Sequence, residues 1–332
     1  MEYADSVCHQ GYDLIGDVHG CNNTLCRLLA ELGYRQVDGI WRHPDRQAVF
    51  VGDIVDRGPR IRESLRTVRD MVETGAAQLV MGNHEYNLLA FLTPGAEGSG
   101  LEYLRSHTER NCRLVRETLE QFAGHADELA DHAQWLMSLP LFLEFSRFRV
   151  VHACWDPRLI GEFRRRYQRN TIDSEFLQES AVYGSFANRT VDHLLRGIDL
   201  PLPDGMTMTS KDGLVRRFFR AAFWQQYPDT LNDVVFQPDP LPPELGGCKL
   251  TPDDLERIPY YDPDQPPLFF GHYWRSGTPA LIRPNIACLD YSAVKYGKLV
   301  AYRMSNERWL KHSHFVWVDV DPDEPFKASA SF

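Results

Sequence analysis

No run of about 18 apolar residues occurs in this chain, so no membrane-spanning helix is expected. The opening residues, MEYADSVCHQGYD, have neither a basic stretch nor an apolar one, which argues against a secretory leader. Cysteine is sparse: seven residues, an odd number, scattered and with no C-x-x-C. A disulfide framework is therefore not expected, and a reducing, cytoplasmic setting is. An excess of positive charge is also missing. The formal net charge is −10, which disfavours stable binding to a nucleic-acid backbone. It leaves anionic small molecules open, because bound cations can reverse the local charge. What is present is ordinary globular composition, 43% hydrophobic and 25% charged over 332 residues. That suffices for one large domain with insertions or for two small ones.

The first 92 residues alternate short apolar runs with helical patterns. Tyr12 to Gly16, Gln47 to Val51 and Leu79 to Met81 read as strands. Leu25, Leu28, Leu29 and Leu32, then Ile61, Leu65, Val68 and Val72, recur at helical spacing and stop at Gly33 and Gly75. GIWRHPDR reads as a hairpin or loop. Residues 93–138 read as a polar, helical insertion. Leu141 to Phe145 and Phe148 to Val151 form a strand pair. Later strands are expected at Leu268 to Phe270, Ala280 to Arg283, Ile286 to Leu289 and Leu299 to Tyr302. Residues 158–267 differ in composition, being rich in arginine and aromatics and then in proline. The end, 320–332, is polar and expected to fray.

Five blocks close predicted strands: GDVHG (16–20), GDIVDRG (52–58), GNHE (82–85), VVHA (150–153) and FGHY (270–273). They carry Asp17, His19, Asp53, Asp56, Arg57, Asn83, His84, His152 and His272. Strand ends in an α/β sheet converge on one rim, so these blocks would build a single site. Mixed carboxylate, amide and imidazole donors suit Mn, Fe or Zn better than Mg or Ca. Six such donors serve two ions if one carboxylate bridges, and two ions about 3.5–4 Å apart clamp both oxygens of an in-line displacement. Singly, each block has an ordinary reading as a turn, a helix cap or a core histidine; jointly, in this order, they do not.

GDVHG, GDIVDRG, GNHE and two later histidines resemble the calcineurin-like metallophosphoesterases, and within them the branch of serine/threonine protein phosphatases and diadenosine tetraphosphatases. GDVHGC with a Leu-rich helix ending in LGY, and the late CLDYSAVKYGKLVAYR, are most similar to the bacterial diadenosine tetraphosphatases and polynucleotide phosphatases. The resemblance implies an α/β (α+β) fold: a β-sandwich of mixed sheets flanked by helices, here one domain with a large insertion. It implies two divalent metal ions, with Mn the first choice and Fe, Zn, Ni or Co as alternatives. Asp17 and His19 would hold one ion, Asn83, His152 and His272 the other, and Asp53 both. Arg57 would grip phosphate, His84 would protonate the leaving oxygen, and Asp56 would hold His84. A hydroxide bridging the metals would attack the phosphorus.

The implied substrate is a phosphorylated small molecule, with dinucleoside polyphosphate first. A phosphoprotein is the alternative, then a nucleic-acid end, and most remotely a binding protein without chemistry. Because 158–267 lies between His152 and His272, both its ends return to the same rim. It is expected to act as a cap that shapes the substrate site. Substrate cations are sought among Arg189, Arg216 and Arg217, with Arg220 in the same group, and spacing does not choose among them. Phe218, Phe219, Phe223 and Trp224 could stack on a base, or Phe219, Phe223 and their neighbours pack the insertion's own core. Oligomeric state stays open.

Overall fold

The computed structural model describes residues 9–209, 215–236, 241–305 and 307–324. The chain opens with β1 (Gly11–Ile15) and α1 (Asn22–Glu31). A hairpin of β2 (Arg35–Val37) and β3 (Ile40–Arg42) leads to β4 (Arg46–Phe50), α2 (Ile61–Glu73), β5 (Ala77–Leu79) and α3 (Asn83–Leu92). Two longer helices, α4 (Glu109–Gln121) and α5 (Ala126–Met137), precede β6 (Phe142–Glu144) and β7 (Arg149–Val151). Then come α6 (Pro157–Tyr167), α7 (Ser174–Ser180) and α8 (Phe186–Val191), which continues as a π-helical turn over Asp192–Arg196. Small strands β8 (Ile198–Pro201), β9 (Met208–Thr209), β10 (Val215–Arg216) and β11 (Phe218–Ala221) follow. Short helices α9 (Leu231–Val234), α10 (Pro243–Gly246) and α11 (Pro252–Arg257) come next. The chain returns to the core through β12 (Leu268–Phe270), β13 (Ile286–Cys288), β14 (Asp290–Tyr291), β15 (Lys298–Met304) and β16 (Phe315–Asp319).

Two mixed sheets result. One has the order β14-β15-β1-β4-β5, with β16 also on β15; the other runs β13-β12-β7-β6. Alternation of side chains along each strand makes the two layers. Leu14, Val49, Val51, Val150 and Phe269 fill the space between the sheets. Their neighbours Ile15, Ala48, Phe50, Val151, Leu268 and Phe270 face the other way, into a core completed by helices. The expected sandwich of mixed sheets flanked by helices is the fold observed.

Two details differ from the sequence reading. Ala280 to Arg283 is not a strand; only an isolated bridge joins Arg283 to Ile286. The polar end is docked through Glu324, and 325–332 lie outside the described residues. Glu324 is buried, and its Oε1 accepts from the amide of Asn23 at 2.6 Å. Its Oε2 accepts from the amide and hydroxyl of Thr24 at 2.8 and 2.6 Å. Helix α1 has no side-chain cap of its own, so a carboxylate 300 residues away satisfies its first free amides. Glu324→Ala should lower unfolding stability by about 1–3 kcal/mol in urea titrations, with a smaller loss for Glu324→Gln.

Candidate metal centre

The first three motif loops are laced through the turn after β4. The Asp53 carbonyl accepts from the amides of Val18 and His19 at 3.0 and 2.9 Å, and that of Ile54 from Gly20 at 2.9 Å. Helix α3 begins one residue past Gly82, and its His84 amide donates to Asp53 Oδ1 at 2.9 Å. The second sheet adds its own strand ends: β7 stops just before His152 and β12 just before Gly271, tied by the Gly271 amide donating to the His152 carbonyl at 2.9 Å. Two glycines are required by close approach. A Cβ on Gly82 would run into Asp53 Oδ1, and one on Gly271 into Asp17 Oδ1. His19, Asp53, Asp56, Arg57 and His272 all adopt positive φ, between 45° and 69°. Backbone strain of this kind concentrates where function over-determines the conformation.

The structure brings all nine residues of the five blocks to one rim. Asp53 lies at the centre. Its Oδ2 is 3.5 Å from His19 Nε2 and its Oδ1 is 3.4 Å from His152 Nε2, so one carboxylate faces two sides. His19, Asp53 and His84 carry potential ligand atoms within 4.8 Å of one another, and so do Asp53, His152 and His272. Asn83 Oδ1 joins the second group, 3.0 Å from His152 Nε2 and 2.7 Å from His272 Nδ1. Backbone carbonyls orient two of the rings. His19 Nδ1 donates to Val55 O at 2.9 Å and His152 Nδ1 to Val51 O at 2.7 Å, which leaves each Nε2 lone pair facing the centre.

The electrostatics fit cations. Asp17 Oδ1 is buried and has no hydrogen-bond partner among the described residues. Burial, Asp290 and Asp53 together push the Asp17 carboxyl well above the usual range. Burial acts on Asp53 in the same sense, but His152, His84 and His19 outweigh it and hold Asp53 well below. Burial, Arg57 and His84 keep His19 neutral; burial, Arg220 and His152 do the same for His272. Crowded carboxylates beside neutral imidazoles are a donor set for divalent metal. At the edge of the site His84 Nδ1 lies 2.7 Å from Asp56 Oδ2, and its Nε2 lies 3.0 Å from Arg57 Nη2.

A profile described as calcineurin-like phosphoesterase matches residues 13–273. The chain belongs to the calcineurin-like phosphoesterase family. Enzymes of this family hydrolyse phosphoester or phosphoanhydride bonds at a dinuclear metal site, and this chain is such a hydrolase with candidate ligands for both ions. It is 45% identical over 184 residues to an asymmetrical bis(5'-nucleosyl)-tetraphosphatase of Halalkalibacterium halodurans, covering 54% of this chain and 71% of that one. It is 26% identical to a symmetrical bis(5'-nucleosyl)-tetraphosphatase of Vibrio parahaemolyticus, over 89% of this chain and 96% of that one. An asymmetrical relative of Oceanobacillus iheyensis is 35% identical, over 46% of this chain and 60% of that one. Among solved structures, a serine/threonine phosphatase of Saccharomyces cerevisiae superposes with a TM-score of 0.47 at 13% identity, covering 96% of this chain and 81% of that one.

Of the four arginines considered in the insertion of this phosphoesterase, the structure brings Arg220 to the site. Arg189 donates to Gly184 O and lines a separate cavity with Asp156, His193 and Glu256. Arg216 lies on β10, and the exposed Arg217 lies between β10 and β11. Arg220 is the one that reaches the His272 Nε2 edge, with Asp199 Oδ1 3.2 Å from its Nε. The cause is strand alternation: on β11, Phe219 and Ala221 turn into the core, and Phe218 and Arg220 turn out. The same alternation decides the aromatics. Phe219, Phe223 and Trp224 are buried, Phe223 and Trp224 pack against Phe270 and Tyr273, and Phe218 is left half exposed.

Other groups at the rim were not among the expected site residues. Thr118 on α4 donates its hydroxyl to Asp56 Oδ1. Asp290 is buried within electrostatic range of Arg57 and Asp53, and Lys295 of Arg57 and Asp290. Glu85 is more than a residue of the first helical turn: its carboxylate accepts from the amides of Asp53 (2.8 Å), Ile54 (2.7 Å), Val55 (3.2 Å) and Gly82 (2.9 Å). Glu85→Ala would leave these buried amides unpaired. We expect a loss of about 3–5 kcal/mol in thermal unfolding, together with metal content reduced below that of the parent in elemental analysis.

Proposed function

We propose that this phosphoesterase hydrolyses dinucleoside polyphosphates with two bound divalent ions, Mn first among them. The observation that carries the catalytic part is the Asp53 carboxylate, with one oxygen toward His19 and the other toward His152. The substrate class is supported by relatives of both kinds, one named asymmetrical and one symmetrical tetraphosphatase. In this reading Asp17, His19 and Asp53 hold one ion, and Asp53, Asn83, His152 and His272 the other. When bound, the ions supply an activated water and Lewis acidity toward the phosphoryl oxygens. Arg57 and Arg220 grip those oxygens from two sides, where guanidinium forks match their geometry. His84, held through Nδ1 by Asp56, gives its Nε2 proton to the leaving oxygen. The scattered cysteines, unpaired among the described residues, support a cytoplasmic setting.

Two measurements test this. Chelation should abolish turnover of diadenosine tetraphosphate and of nitrophenyl phosphate, Mn should restore both, and elemental analysis should find two ions per chain. Full activity in a stripped protein would refute the metal assignment; turnover of phosphopeptides in preference to the dinucleotide would refute the substrate.

The assignment of His84 has its own signature. His84→Ala should slow alkyl phosphates by roughly 10²–10⁴-fold, and nitrophenyl phosphate, whose leaving group needs little protonation, far less. Equal losses on both would mean that His84 serves the metals alone.

A further inference from the structure

Beside the metal centre, on the side of His84, lies a cluster of guanidinium groups that the chemistry above does not use. Arg196 closes the π-helical turn of the insertion and donates through Nη2 to Asn87 Oδ1 at 2.9 Å. Asn87 stands three residues after His84 on α3, on the same face and about 5 Å further along the axis. The Arg196 guanidinium lies 5.1 Å from the centre of the Tyr86 ring, and the Tyr86 hydroxyl is fixed 2.8 Å from Ser180 Oγ. Arg105 enters from the loop before α4, where its own amide is anchored on Ala90 O at 2.9 Å. Its side chain comes within electrostatic range of Arg196, Tyr86 and Arg110, and of Asp56.

This cluster is unfavourable as it stands. Arg105 Nε is buried and has no hydrogen-bond partner among the described residues. Burial and the neighbouring Arg196 pull the Arg105 guanidinium down to about 10. Asp192 pairs with Arg196 inside the cluster, and Asp56 is engaged with His84 and Thr118, which leaves Arg105 without an ion pair among the described residues. Like charges brought together with a buried donor unpaired lower stability, unless an anion completes the arrangement. Placement says which anion. A group one helical turn beyond the leaving-group acid meets what departs, not what is attacked.

We propose that Arg105 and Arg196 form a subsite for the phosphate chain of the leaving group, so that the enzyme favours substrates with further phosphates beyond the scissile bond. The location rests on the role of His84 proposed above. The subsite deepens the polyphosphate reading by stating how a polyphosphate differs here from a monoester. Two guanidiniums, one fixed by Asn87 and one held in reserve, suit the several oxygens of a di- or triphosphate tail better than a single phosphoryl group.

The test uses the full-length, Mn-loaded protein and the variants Arg105→Met, Arg105→Lys and Arg196→Gln. For Arg105→Met, kcat/KM on diadenosine tetraphosphate should fall about ten- to hundredfold more than on nitrophenyl phosphate, mainly through KM. Arg105→Lys should recover part of the difference. Inorganic tripolyphosphate, with metal in excess, should inhibit nitrophenyl phosphate hydrolysis better than orthophosphate in the parent enzyme, and Arg105→Met should erase that advantage. The thermal midpoint should hold or rise in Arg105→Met, because an unpaired buried charge is removed; a merely structural arginine would lower it. Equal losses on both substrates, or tripolyphosphate no better than orthophosphate in the parent, would overturn the subsite. A parent that ignores diadenosine tetraphosphate but discriminates tripolyphosphate through Arg105 would sink the dinucleotide reading and keep the subsite. If Arg105→Met does not fold, Arg105→Lys and Arg196→Gln carry the same comparisons.

Discussion

The site depends first on one buried carboxylate that never touches the proposed chemistry. Glu85 gathers four amides, three from the turn after β4 and one from Gly82 at the start of α3. Burial and the nearby Asp53 raise its carboxyl above the ordinary range, and the amides oppose that rise. By holding turn and helix together it keeps Asp53 at positive φ and sets its Oδ1 against the His84 amide. The GDVHG loop then hangs on the carbonyls of Asp53 and Ile54. Three motifs far apart in the chain thus share one hydrogen-bonded knot.

Two sheets are needed because neither supplies all the candidate metal ligands. The first delivers Asp17, His19, Asp53 and Asn83 from the loops after β1, β4 and β5. The second delivers His152 and His272 from β7 and β12. The interior between them is apolar, so the strands pack rigidly and their ends arrive in fixed register. The rim itself is the opposite: Asp17, Asp53 and Asp290 crowd together, and several backbones are strained. Such a rim lowers the stability of the fold in return for preorganised donors, a common balance at functional sites.

The insertion illustrates how one strand can settle two questions. β11 pairs with β8 from Phe218↔Pro201 to Ala221↔Ile198, and that register turns Phe219 inward and Arg220 outward. Had the segment been helical, Arg216, Phe219, Arg220 and Phe223, at i, i+3, i+4 and i+7, would all have shared one face. The arginine that reaches His272 therefore follows from pairing with Asp199, 21 residues earlier, not from local composition.

Sequence by itself determined the parts of this protein whose information is local. Short apolar runs ending in Gly-Asp, Gly-Asn or His marked the core strands, and the order of their polar ends marked the candidate metal centre, because each candidate ligand sits at a strand terminus that its own neighbours define. The α1 and α2 periodicities were equally plain, since half-buried helices need a regular apolar stripe. Tertiary structure alone decided the rest. Glu85 reads as an ordinary first-turn acid until the turn at Asp53 is laid against it. Thr118 meets Asp56 across 62 residues, Glu324 caps α1 across some 300, and Arg105 meets Arg196 only when α3, the loop before α4 and the insertion are packed together. Contacts of that span are set by which surfaces the chain buries, and no periodicity of 2 or 3.6 residues carries that information.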